Sequence, residues 1–360
     1  MKVREFELGS APAVLFHGCA GDGTVQGWDK SVIQLTSEAE ASVARLHPLD
    51  NRLEISGLMP LSAHLPTGSS TELSACNGDI VISRVQSVQL SACNGDWVIE
   101  DCGDVVLQDV QGDIMLKQSR SVQVKQFRGD LVARGIEADA TIANAHGDLA
   151  IERATGNVSI HDVHGDISIS GTPASAEVQA VRGDLTFSGA PTRGNYVLQV
   201  RGDIILRLDE TSSVRLELHA PSGDIRCSLP GAERSSADDL AARIGEGAAV
   251  LTATAQDGSI RVVTGASTEQ GQATQAELGG EAIRLVHRLE QFKERVRRES
   301  QRVTDAFRAE RSRRVYWGPS RDAAPDEAED LEKERLTVLG MLGDGQITAE
   351  QAETLLRALE

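Results

Sequence analysis

The residues in this sequence best suited to chemistry stand in a column. Gly-Asp recurs at nine regularly spaced positions from Gly78-Asp79 to Gly223-Asp224, at intervals of 17, 17, 17, 18, 18, 18, 19 and 21 residues. The residues just before these glycines are Asn77, Asn94, Gln111, Arg128, His146, His164, Arg182, Arg201 and Ser222, so from Arg128 to Arg201 a cationic column flanks the acidic one. Two uses are open to such a column. Carboxylates in close succession repel unless they are paired or turned onto amides, so turn bonds with mutual compensation are one use. The other is a cation site. His146, His164, Asp148 and Asp166 would converge across adjacent repeats, and imidazole with carboxylate can hold zinc or a similar metal. No third fixed ligand accompanies them and the calcium-binding nonapeptide pattern is absent, so the expectation is no metal and no cofactor.

Other motifs dissolve into the repeat. Arg-Gly-Asp, a cell-adhesion ligand elsewhere, occurs at 128–130, 182–184 and 201–203 as a by-product of the consensus. His161-Asp162-Val163-His164 falls in a strand-to-turn segment and is no metalloprotease helix. The sequence has no phosphate loop, dinucleotide fingerprint, nucleophile elbow or zinc-ribbon pair. Parallel β-helices that cleave polysaccharides gather acidic or basic groups along a long groove, and these short uniform repeats offer no loop to build one. The expectation is therefore no enzyme, with a polysaccharide-acting β-helix enzyme the less favoured alternative.

The elements that must hold this column are strands. One and three residues after each Asp the chain is apolar, as at Ile80/Ile82, Trp97/Ile99 and Ile114/Leu116. Seven and five residues before each next glycine it is apolar again, as at Val88/Leu90 and Val122/Val124, with Asn195/Val197 the irregular member. A fifth column stands two before the glycine and runs from Cys76 through Cys93, Val110 and Phe127 to Pro221. Alternation at period two marks a strand with one buried face. Neither strand of a repeat can bury that face alone, whereas stacking repeats about 4.8 Å apart closes a continuous core. The expected fold is mainly β: a single-stranded β-solenoid, or β-helix, with 17–19-residue coils. Propeller blades need about 40 residues, and a sandwich would not keep columns in register over nine copies. In this register Val122, Val124, Phe127 and Leu131 are buried, while Gln123, Lys125, Arg128 and Val132 lie outside or on turns.

Composition agrees. Aromatics are 3% of 360 residues, which suits thin aliphatic columns better than a large globular core. No apolar run reaches the length of a membrane span, and the N-terminus lacks the apolar core of a secretory signal, so the expected location is cytoplasmic. The five cysteines read as small core residues in a reducing compartment.

The solenoid is expected over 1–265. Residues 1–70 are irregular N-terminal coils that cap it, where Val14, Phe16 and Cys19 precede Gly21-Asp22 with the repeat's own spacing. Residues 71–228 hold the regular repeats. Residues 229–247 are an insertion with one short helical turn, and 248–265 form the last coil, with Gly258-Ser259-Ile260 in the Gly-Asp-Ile place.

After a polar linker, 277–316 read as a basic amphipathic helix with a heptad seam of Leu278, Ala282, Leu285, Leu289, Phe292, Val296, Glu299, Val303 and Ala306. From Arg284 to Arg314 it has eleven Lys/Arg against five acids, a net of +6 that leaves −24 for the remainder. Such charge is a solvated face, a dock for the acidic solenoid, or a contact for an anionic membrane surface; nucleic acid is not expected. Residues 317–330 are a Pro-containing linker. Residues 331–360 form a helical hairpin in which Leu336, Leu339, Leu342, Ile347, Leu355, Leu356 and Leu359 exceed what thirty residues can bury, so a homo-oligomer is expected.

Two segments resemble known families. The Gly-Asp-(Ile/Leu) coils, preceded by GTVQGWDKSVIQL, resemble the bacterial adhesin-like β-solenoid domain over about residues 5–265, a family mostly of unassigned function. The tail VLGMLGDGQITAEQAETLLRAL resembles the SHOCT-like helical hairpin, a short module associated with oligomerisation. Together the resemblances imply a prokaryotic scaffold or interaction protein, adhesin-like and self-associating through its C-terminal helices. The alternative they imply is an envelope-stress regulatory protein that reaches the anionic inner membrane through the basic helix. They name no protein partner.

Overall fold

Strands with one apolar face each must find a neighbour, and here every coil finds it in the next copy of itself. The computed structural model describes residues 2–264 apart from 10, 38–46, 50, 59–61, 228, 230 and 231. In these residues successive coils stack as parallel strands on two faces. On the face that follows the Gly-Asp turns, Ile80, Trp97, Ile114, Leu131, Leu149 and Ile167 lie directly opposite one another in turn. On the face that precedes them the same holds for Val88, Val105, Val122, Ala140, Val158 and Ala176. Trp97–Gln111 and Ile114–Arg128 each run through both faces as one strand, whereas later coils divide the path, as in Leu131–Ile136 and Ala140–His146. The inward columns of the regular coils are buried and merge into one core, including Val122, Val124, Phe127 and Leu131, with Cys227 at the end half-buried.

Two corners turn the coils, and in most of them both use left-handed backbone. Three residues before the glycine, Ala75, Ala92, Asp109, Asn144, Asp162 and Ala180 have φ between 51° and 56°. Six residues after the glycine, Arg84, Asp101, Gln118 and Arg153 have φ of 52–56°, and Gly135 and Gly171 occupy the same place. The residue after this second corner points inward, adding a sixth column of Val85, Cys102, Ser119, Ile136 and Ala154 that the repeat grammar did not reveal.

The ends of the stack depart from chain order. Ala13–Ala20 and Gly23–Trp28 form a coil that lies between the coil of Arg52–Leu58 and Ser62–Pro66 and the coil of Ser70–Ser74 and Ile80–Ser83. At the other end Ala249–Ala255 and Ile260–Thr264 slot between Asn195–Val200/Ile204–Leu208 and Val214–His219/Ile225–Cys227. Antiparallel strands then interrupt the parallel ladder. Val32–Ser37 pairs with Ser62–Pro66 and Lys2–Glu7 pairs with Val32–Ser37; at the far end Asp239–Ile244 pairs with Val214–His219. Changing direction at the rim gives an edge that does not match the parallel register of another copy.

Several expectations are corrected. Residues 229–247 hold strands Glu233–Arg234 and Asp239–Ile244 where a helical turn was expected, because the open edge of Val214–His219 offers hydrogen bonds that a surface helix would leave unmet. The coil of 248–265 is last in sequence but not in space. Asn195 is exposed, and the inward pair is Tyr196/Leu198, because only Gln199 separates Leu198 from Val200 where Gln179 and Ala180 separate Val178 from Val181. Pro221 is exposed and Ala220 is buried in its stead. Val132 stands on the outward parity yet is buried, with Val98, Met115 and Ala150, in a cluster separate from the core. The basic helix of 277–316, the linker of 317–330 and the hairpin of 331–360 lie outside the described residues.

Candidate interaction surface: the Gly-Asp edge

The Gly-Asp turns meet along one edge, and the carboxylates there have a definite task. In a regular parallel ladder the amide of Asp96 would bond the carbonyl of Gly78. That carbonyl instead faces the α-carbon of Gly95, where an added Cβ would stand 2.1 Å from it, and Gly95 has φ of 140°. The amide is therefore left to the carboxylate. Asp79 Oδ1 accepts from Asp96 N at 3.0 Å, Asp96 Oδ1 from Asp113 N at 3.0 Å, and Asp113 Oδ1 from Asp130 N at 3.0 Å. The series continues through Asp148, Asp166, Asp184 and Asp203 at 2.7–2.9 Å.

Both displaced terminal coils join it. Asp22 Oδ1 accepts from Asp79 N at 2.9 Å, across 57 residues of sequence. Asp203 Oδ1 accepts from Ser259 N at 2.7 Å, and Ser259 Oγ accepts from Asp224 N at 3.2 Å. Ser259 thus stands in the aspartate's place with an acceptor of its own. One ladder of side chains reports the spatial order of the coils.

The flanking column is as the spacing implies. Arg128 lies opposite His146, and the rings of His146 and His164 meet with centroids 4.0 Å apart and planes tilted by 46°. His164 Nε2 approaches Asp162 at 3.7 Å. Asp148 and Asp166, the other two candidates for a cation site, each give Oδ1 to the amide of the following coil. The imidazoles are brought together, but the carboxylates serve the ladder. Among the described residues no group of three or more His, Cys, Asp or Glu is arranged to hold a metal. The aspartates of the three Arg-Gly-Asp segments likewise accept from Asp148 N, Asp203 N and Ser259 N.

Four of the five thiols are buried and Cys227 is half-buried. All five are free, and Cys19 joins Cys76 and Cys93 in one inward column. Cys76 Sγ donates to Phe16 O at 3.5 Å and Cys93 Sγ to Leu73 O at 3.4 Å. The Cys19 thiol, then burial, pushes Cys76 up to about 11; the Cys76 thiol and burial push Cys93 up as well, while Cys19 is drawn down by the same contact with Cys76. Burial alone is the main reason Cys102 is pushed up to about 11. A thiol that stays protonated in an aliphatic column packs as a small hydrophobe.

The residues expected to drive oligomerisation, from Leu336 to Leu359, lie outside the described residues. No helix among the described residues is long and apolar enough to cross a membrane.

No curated protein matches the chain. A solved structure of a "putative cell adhesion protein" from Clostridium sporogenes ATCC 15579 is similar at 10% identity, covering 73% of this chain and 99% of that one with a TM-score of 0.18. The sequence profile of the Toastrack DUF4097 family matches residues 56–263, from the outermost N-terminal coil through the inserted C-terminal one. That span is more than half of the chain and holds all nine regular Gly-Asp turns, so the chain belongs to the Toastrack DUF4097 family.

Proposed function

We propose that this protein is a non-enzymatic β-solenoid scaffold that self-associates through residues 331–360 and offers its repeated edge to an extended or multivalent partner. The observation that carries the reading is the carboxylate ladder. The groups best suited to chemistry each hold the next coil, and successive copies share nearly the same surroundings. Repeated weak contacts of this kind favour avidity over catalysis. Five free thiols, four of them buried, suit a reducing compartment, and the proposed location is the cytoplasm.

Self-association rests on the leucines of the tail. Light scattering of the intact chain and of a Leu339→Asp/Leu355→Asp variant is expected to give a lower mass for the variant with an unchanged β-sheet spectrum. Equal masses would remove the tail from the assembly. A second reading, regulation at an anionic membrane, is favoured by the +6 charge of Arg284 to Arg314. Salt-sensitive binding of the same samples to phosphatidylglycerol vesicles would favour it over a soluble scaffold.

A further inference from the structure

The two outer faces of the solenoid are unlike. On the face preceding the Gly-Asp turns, outward residues such as Gln89, Gln123 and Thr141 are exposed, as an open sheet requires. On the face following them, Val98, Met115 and Val132 point outward at 0% exposure and Ala150 at 4%, with Val81 packed beside them. Two residues further along the same strands, Glu100 meets Lys117 at 3.7 Å and Arg134 meets Glu152 at 2.9 Å. These four charged side chains are only 17–24% exposed, far less than long side chains on an open sheet would be. An apolar stripe with a half-covered charged border is the imprint of a covering element. The burial is that of a single chain.

We infer that the segment from Leu278 to Val296 is that cover, a helix laid along the stack with its apolar seam on the stripe. The steps match. Seam residues of a heptad advance about 5.2 Å each at 1.5 Å per residue, and stripe residues on neighbouring strands about 4.8 Å. Leu278, Ala282, Leu285, Leu289, Phe292 and Val296 cover about 27 Å, and the five-strand stripe from Val81 to Ala150 about 19 Å.

The reach also matches. Ile260–Thr264, where the described chain ends, lies on this same face, next to Ile204–Leu208. Four strand spacings separate it from Ala150 and eight from Val81, or about 19 and 38 Å. Residues 265–276, fully extended, span up to about 40 Å. The longest other undescribed stretch, 38–46, leaves from Val32–Ser37, six strands away from Leu131–Ile136. This inference goes beyond the scaffold reading and stands apart from it: the seam is occupied within the chain, leaving the tail leucines free for assembly.

The test is thiol labelling of the intact chain in a Cys227→Ser background, with a maleimide as probe. Met115→Cys is expected to label at least about tenfold more slowly than the outward control Gln123→Cys. Adding Leu285→Asp and Phe292→Asp is expected to bring the two rates together while the melting temperature of the solenoid holds. Equal rates before that addition would overturn the proposal, and so would protection that survives it. Protection that fades on dilution would overturn it in favour of a second copy as the cover. None of these readouts depends on the light-scattering mass that tests the scaffold.

Discussion

An aspartate in this fold acts as an acceptor before it acts as a charge. Asp130 Oδ1 takes the amide of Asp148 at 2.9 Å, a bond that needs a lone pair at that place and no more. Ser259 shows as much, since its neutral hydroxyl accepts from Asp224 N at the same step of the ladder. Asn supplies the same carbonyl oxygen and relieves the repulsion between successive carboxylates. Asp130→Asn is therefore expected to keep stability within about 0.5 kcal/mol, whereas Asp130→Ala leaves a turn amide without its acceptor and costs about 1–3 kcal/mol. Urea unfolding of the two variants decides the matter. If Asn proved as damaging as Ala, the negative charge itself would be what the edge requires. The candidate cation site yields to the same logic: the sequence brought two histidines and two aspartates into register, but it could not show that each carboxylate already had an amide to satisfy.

Within a coil, the strands were legible and the corners were not. Burial of alternate side chains leaves a period-two trace in residue type, so Ile80, Trp97, Ile114 and Leu131 could be aligned by eye and stand opposite one another in the sheet. A corner asks only for left-handed φ, and here Ala, Asp, Asn, Arg and Gln all supply it, leaving no compositional mark. The sixth inward column therefore has no signature in residue type, and neither does the shortened corner at Gln199 that turns Tyr196 inward. The outward stripe has none for a related reason: one apolar residue on a polar face is ordinary, and only four in neighbouring coils mean something. The corners also carry a cost. Ala92 is exposed with φ of 51°, a conformation that disfavours any Cβ. Ala92→Gly is expected to raise stability by about 0.5–1 kcal/mol, the relief of left-handed strain exceeding the added freedom of the unfolded chain. A higher urea midpoint with an unchanged slope would show it; a lower midpoint would mean that the corner is unstrained.

At the scale of the whole molecule, a coil is inserted out of chain order at each end of the stack. In this chain the final coil, Ala249–Ala255 and Ile260–Thr264, turns back and separates two coils that are consecutive in sequence. Read in chain order, 248–265 is a terminal repeat whose loss should trim the stack by one layer. Read in space, it is an internal layer. Without it Ile225–Cys227 loses the strand it pairs with, Val214–His219 keeps only the antiparallel Asp239–Ile244, and the ladder loses Ser259 between Asp203 and Asp224. A chain ending at residue 247 is therefore expected to lose order back to Asn195–Val200, with the regular coils before it intact because each repeat depends on its neighbours alone. Limited proteolysis should cut such a chain within 209–247 while the coils from Ser70 to Ala180 resist. If that region stayed as protected as in the intact protein, the inserted coil would be an ornament on the stack, and the coils it separates would be able to close upon each other directly.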